Sequence, residues 1–231
     1  FDILQNGIFD EAFSTGVLTD VERELLTITA LTAMQTLPQL QAHVGAALNI
    51  GASPLQLRET IYQCAPYIGF PKTLNAIDIA NGVFEANGIS LPLENAGTVD
   101  ATDPSAREQA GAAIQAPLYG NEVTEVFSAL PEPFDEFVPH LLTSSAFGDF
   151  ATRGGLDVAQ RELISLVAIA AIGATTQLRP HVAGAIRAGS SRQKVAAALV
   201  QVMPYIGGPY ALSGLVLVAR YDESASAEAY R

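Results

Sequence analysis

Apolar residues in this chain recur at three- and four-residue intervals, and no stretch of useful length alternates apolar with polar as a half-buried strand would. Leu25, Ile28, Leu31 and Thr32 mark one such stripe. The pattern predicts a helix starting near Val21, capped by Thr19 or Asp20, with Glu22 and Glu24 near its positive end. It should stop near Thr36, because Pro38 cannot sit in a helix interior. A second helix carries Leu40, His43, Val44 and Ala47 on one stripe and ends before Gly51, a natural left-handed cap. Ser53 and Pro54 open a third helix as N-cap and first helical residue. The corner Pro66-Tyr67-Ile68-Gly69-Phe70-Pro71 should end it, and a fourth helix runs from about Lys72 to Ala86. The expected fold is all-α.

The same series then returns 138 residues later. Arg23-Glu24-Leu25 becomes Arg161-Glu162-Leu163, His43 becomes His181, Gly51 becomes Gly189, and the corner returns as Pro204-Tyr205-Ile206-Gly207-Gly208-Pro209. From Arg23 to Pro71 the offset never slips, and 18 of the 49 aligned positions are identical. A match of that length without a gap marks a duplicated structural unit. The first helix of the second copy ends at Gly173 instead of at a proline, and Ser191 keeps the third helix's cap without one. Two helical repeats packed as a pseudo-dimer follow: residues 1–95, a linker at 96–104 rich in turn signals, residues 105–222, and a polar tail at 223–231. Segments 105–115 and 121–151 read as the second repeat's entry helices, with partial counterparts in 1–15, where Phe9 matches Phe147.

Composition narrows the function. A formal charge of −12 disfavours nucleic acid and anionic membrane surfaces, both of which need a basic face. The uncharged run from Val195 to Ala219 is long enough to span a bilayer, but Pro204, Gly207, Gly208 and Pro209 interrupt it. Two buried helices around a corner explain it better. Cys64 is the only cysteine, so no intramolecular disulfide forms, which fits a cytoplasmic protein.

The candidate chemistry lies in what both copies keep. Glu24 and His43 sit on consecutive helices 19 residues apart, as do Glu162 and His181. If those helices form hairpins, each carboxylate can meet its imidazole, fixing the tautomer and making a proton donor or acceptor usable near neutrality. The plainer alternative is a buried polar contact with no chemistry. Gln39 and Gln177 are also kept. Arg23 and Arg161 suit either bidentate binding of a carboxylate or a structural ion pair. Tyr67 and Tyr205 suit either proton relay or corner packing, and His140 has no counterpart.

Arg-Glu-Leu, an alanine-rich helix, Leu-x-x-His, a turn at glycine and a closing Tyr-x-Gly-x-Pro together resemble the carboxymuconolactone decarboxylases, over about 1–86 and 105–220. The resemblance implies an all-helical protein that assembles as rings, here a homotrimer of two-copy chains. It implies a cofactor-independent decarboxylation, as in aromatic catabolism, of a small carboxylated metabolite (a lactone or aromatic-derived acid). Catalysis would fall to Glu24, His43, Glu162 and His181. Substrate contacts would fall to Arg23, Gln39, Tyr67, Arg161, Gln177 and Tyr205, with no metal and no cofactor. A second branch resembles alkyl hydroperoxidase D, which adds a Cys-x-x-Cys pair before the histidine. Here those places hold Thr36 and Gln39, and Ala174 and Gln177, which removes the thiol route to peroxidase activity. A ring scaffold or ligand-binding protein without turnover is the third reading.

Overall fold

The computed structural model describes residues 15–222. The expectations for 1–14, including the Phe9 match, and for the tail at 223–231 lie outside the described residues. Eleven α-helices and one π-helix, with no strand among the described residues, make up an all-α fold of two tandem repeats. The first repeat contains α1 (Asp20–Met34), α2 (Leu37–Asn49), α3 (Pro54–Ile68) and α4 (Phe70–Ala86). Next come α5 (Pro104–Tyr119), α6 (Glu122–Phe127), α7 (Phe134–Leu141) and a π-helix at Leu142–Ala151. The second repeat contains α8 (Val158–Ala171), α9 (Thr175–Arg187), α10 (Arg192–Ile206) and α11 (Gly208–Ala219).

Matching caps set matching helix phases. Thr19 accepts from the Glu22 amide, and the Glu22 side chain answers the Thr19 amide; Asp157 and Gln160 repeat this capping box before α8. That fixes Glu24 and Glu162 at the same turn of equivalent helices. The break between α1 and α2 needs only Gln35 and Thr36, so the helices form a tight hairpin. Gln35 holds a left-handed φ of 59°, and its side chain ties to the carbonyls of Thr32 and Lys72. At the equivalent place Gly173 takes φ 72° freely. Pro38 therefore lies inside the first turn of α2 and does not terminate α1, which already ends at Met34. The corner ends its helix as expected, but at its glycine and not at its proline. Pro66 and Pro204 are carried inside α3 and α10, and the chain turns at Gly69 and Gly207, with φ 86° and 90°. The fourth helix accordingly begins at Phe70, slightly before the expected Lys72.

The repeats are interlocked. Leu26 and Ala30 of α1 are buried in the core of the second repeat, while their counterparts Ile164 and Ala168 of α8 are buried in the core of the first. Leu18 and Leu156 are exchanged likewise. Helix α1 packs on α8 and α10, and α8 packs on α3. No helix among the described residues is long and apolar enough to cross a membrane.

Candidate active site

The α1–α2 hairpin places His43 Nδ1 2.8 Å from Glu24 Oε2, and the α8–α9 hairpin places His181 Nδ1 3.3 Å from Glu162 Oε2. All four side chains are largely covered, with 20% and 15% of His43 and Glu24 exposed against 13% and 5% of His181 and Glu162. An Nδ1–H donated by His43 to the Glu24 carboxylate leaves Nε2 of that ring as the nitrogen able to exchange a proton.

Each pair is completed from the other repeat. Tyr205 of α10 meets the His43 ring edge-on, with centroids 5.4 Å apart, and Tyr67 of α3 meets the His181 ring at 5.3 Å. Burial pushes both phenols above the ordinary tyrosine range, with Glu24 adding to the rise at Tyr205 and Glu162 at Tyr67. Both tyrosines stay protonated near neutrality and present hydroxyls beside Thr27 and Ser165, equivalent positions of the two repeats. The corner thus packs a phenol ring against the histidine of the other repeat.

The arginines are placed differently from the substrate-contact expectation. Arg23 and Arg161 are 3% and 1% exposed, and each reaches across to a glutamine of the other repeat. Arg23 Nη1 donates to Gln201 Oε1 at 3.0 Å, and Arg161 Nη1 to Gln63 Oε1 at 2.9 Å. Gln63 and Gln201 then donate to Ser165 and Thr27. Arg161 also donates to the carbonyls of Arg153 and Gly154, and it lies 3.5 Å from Glu59, a carboxylate with no exposure. Arg153 and Arg58 pair with the same carboxylate at 2.8 Å and 2.9 Å. Burial alone would raise the Glu59 pKa, but these three guanidinium groups outweigh it and hold the group below its ordinary value. Both guanidinium groups are enclosed by the protein and bonded across to the opposite repeat. The glutamines at 63 and 201 went unread in the sequence, although their identity across the repeat was the available signal.

Gln39 and Gln177 are exposed on the first turns of α2 and α9, one helical turn before their histidines. Cys64 is buried, its thiol pushed up to about 12 by burial, with its S–H on the Thr60 carbonyl. It packs as a small hydrophobe. A cavity of about 370 Å³ lies apart from both pairs, lined in part by Tyr62, Phe70, Phe150 and Arg153. Among the described residues no three His, Cys, Asp or Glu side chains converge as a metal site would need.

An all-α tandem repeat with one Glu–His pair per repeat defines the class. The chain belongs to the carboxymuconolactone decarboxylase family, whose model matches residues 3–82 and 138–220. It is 34% identical over 80 residues to a 4-carboxymuconolactone decarboxylase of Acinetobacter baylyi, covering 35% of this chain and 60% of that protein. An uncharacterised 15.0 kDa protein of Paracoccus denitrificans is 37% identical over 78 residues, covering 33% and 58%. A nitrosuccinic acid decarboxylase of Metarhizium robertsii is 27% identical over 110 residues, covering 48% and 77%. The chain thus spans about 60% of the length of the first two relatives.

Proposed function

We propose that the protein is a cofactor-independent, decarboxylase-like lyase in which a Glu–His pair performs acid–base catalysis on a small carboxylated metabolite. The observation that carries this reading is the direct 2.8 Å contact between Glu24 and His43, flanked by the protonated Tyr205 phenol from the opposite repeat. As the bond to the departing carboxylate breaks, its electron pair passes into the adjoining unsaturated system and carbon dioxide leaves. The imidazolium then delivers its Nε2 proton to carbon, while the glutamate carboxylate balances the charge on the ring. The tyrosine hydroxyl is a hydrogen-bond donor for the developing enolate. In this reading Gln39 and Gln177, exposed one helical turn before their histidines, contact the substrate's polar groups.

Two of the similar proteins are named as decarboxylases, of 4-carboxymuconolactone and of nitrosuccinic acid, and these acids are the first substrates to assay. We place the activity in the degradation of aromatic-derived acids in the cytoplasm, carried out by a homotrimer. Support for assembly comes from Leu74 and Leu212, equivalent residues that are 60% and 53% exposed beside the exposed Phe70 and Tyr210. Carbon dioxide release should fall on replacing His43 or His181 by alanine and vanish when both are replaced. Turnover that survives the double replacement would sink the catalytic assignment.

A further inference from the structure

The two Glu–His pairs are not equivalent, and the difference is Tyr119, the last residue of α5. Its hydroxyl lies 2.5 Å from Glu162 Oε2 and 2.9 Å from His181 Nδ1, closer to each than they are to one another. The ring is 4% exposed and packs edge-on against Phe147 and His181, centroids 5.7 Å and 5.4 Å away. The end of α5 is held there by Arg187 of α9, which donates to the Leu118 carbonyl at 2.6 Å. Room for the hydroxyl exists because residue 184 is glycine: a Cβ there would lie far inside van der Waals contact with the Tyr119 oxygen and 2.8 Å from Glu162 Oε2. The equivalent residue in the first repeat is Ala46, which carries that Cβ. Ala46 is exposed where Gly184 is buried, and Glu24 meets His43 directly.

We infer that Tyr119 is a positioning residue that turns the second pair into a Glu162–Tyr119–His181 chain, while the first stays a direct Glu24–His43 dyad. This deepens the acid–base reading above and rests on it for its functional consequence. A phenol has one proton to give, and a carboxylate only accepts. The shorter, charge-assisted bond therefore runs from the Tyr119 O–H to Glu162, consistent with the burial and the Glu162 charge that keep this phenol protonated. The phenol oxygen must then accept from His181, which fixes the Nδ1–H tautomer. Both sites thus offer the same nitrogen, Nε2, to a substrate. They differ in what stands behind the ring: an anion in the first repeat, a neutral hydroxyl relaying to an anion in the second. An imidazolium formed during turnover is balanced by direct contact at His43 and through one intervening bond at His181.

The chain has three histidines, so long-range proton–nitrogen NMR of the histidine-labelled full chain reads each ring without any substrate. The expected parent spectrum shows His43 and His181 both protonated at Nδ1, with the His43 Nδ1–H further downfield because its acceptor is a carboxylate. In Tyr119→Phe the His181 Nδ1–H should move downfield towards the position of His43, whose own signals stay in place. In Gly184→Ala, whose Cβ crowds both the hydroxyl and Glu162 Oε2, the His181 signal should also move while that of His43 stays in place, and this variant serves if the phenylalanine variant does not fold. A His181 ring protonated at Nε2 in the parent overturns the inference. So do variants that leave the His181 signal unmoved or shift both histidines alike. Because no turnover is measured, failure of the decarboxylase reading would leave this result intact.

Discussion

Replacing Arg161 by methionine separates a structural guanidinium from a substrate-binding one. The side chain is 1% exposed and donates to Gln63, to the Arg153 and Gly154 carbonyls and, at 3.5 Å, towards Glu59. Methionine fills much of the volume but leaves those acceptors without a donor. Each buried acceptor so orphaned costs about 1–3 kcal/mol. Glu59 keeps Arg58 and Arg153, so the total should stay at roughly 3–5 kcal/mol, the range for breaking a buried charge network from one side. With a guanidinium slope of ~4 kcal/mol/M, the unfolding midpoint should fall by about 1 M. Arg23→Met should cost less, because Ala197 occupies the place equivalent to Glu59 and offers no carboxylate. Guanidinium unfolding followed by circular dichroism measures both. If Arg161→Met unfolds at the parental midpoint while KM for a carboxylated substrate rises, the arginine binds substrate and the structural account is wrong.

Glu59 should contribute a pH-dependent part of the stability. Its folded pKa lies below the ordinary carboxyl value of 4.5, so the stabilisation is complete above that value and is lost as pH falls through the folded one. Glu59→Gln should flatten this acid limb in a pH series of unfolding midpoints and cost about 3–5 kcal/mol at neutral pH by leaving three arginines facing an uncharged partner. Gly173→Ala should destabilise by about 1–3 kcal/mol, since φ is 72° and the new Cβ would lie 2.7 Å from the Tyr210 ring; a thermal scan with an unchanged midpoint would contradict it. Tyr67→Phe should alter the environment of His181 and spare His43, although Tyr67 belongs to the first repeat. Histidine NMR showing the reverse would refute the crossed assignment.

The sequence made the repeat and its helices legible because both follow from local rules: apolar spacing, caps at Thr19, Ser53 and Ser191, and glycines where φ is positive. It also made the Glu–His pairing legible, since a break between the two residues leaves a hairpin as the simplest way to join their helices. What stayed hidden was long-range. Nothing local to Arg23 or Arg161 says that its guanidinium is buried against a glutamine about 100 or more residues away. The corner ends its helix as the sequence predicts, but at its glycine: a proline in the last turn loses a single backbone bond, and the following glycine makes the turn. Tyr119 lies outside the repeated block, so a comparison of the two copies could not bring it forward.

The exchange of side chains between repeats gives the duplication a physical meaning beyond a second copy of the Glu–His pair. Each Glu–His pair stands on one repeat while its tyrosine and its buried arginine–glutamine bridge involve the other, so neither half of the chain holds the whole cluster. Joining the copies in one chain fixes their ratio at one to one and makes docking of the second intramolecular, at a high effective concentration. It also frees the copies to differ. Ala46 and Gly184 illustrate this: the glycine leaves room beside Glu162 for the Tyr119 hydroxyl, where a Cβ would lie far inside van der Waals contact. Two identical subunits would have to carry either residue in both sites, whereas the fused chain carries one of each. The asymmetry at Tyr119 is therefore one that two identical subunits could not carry.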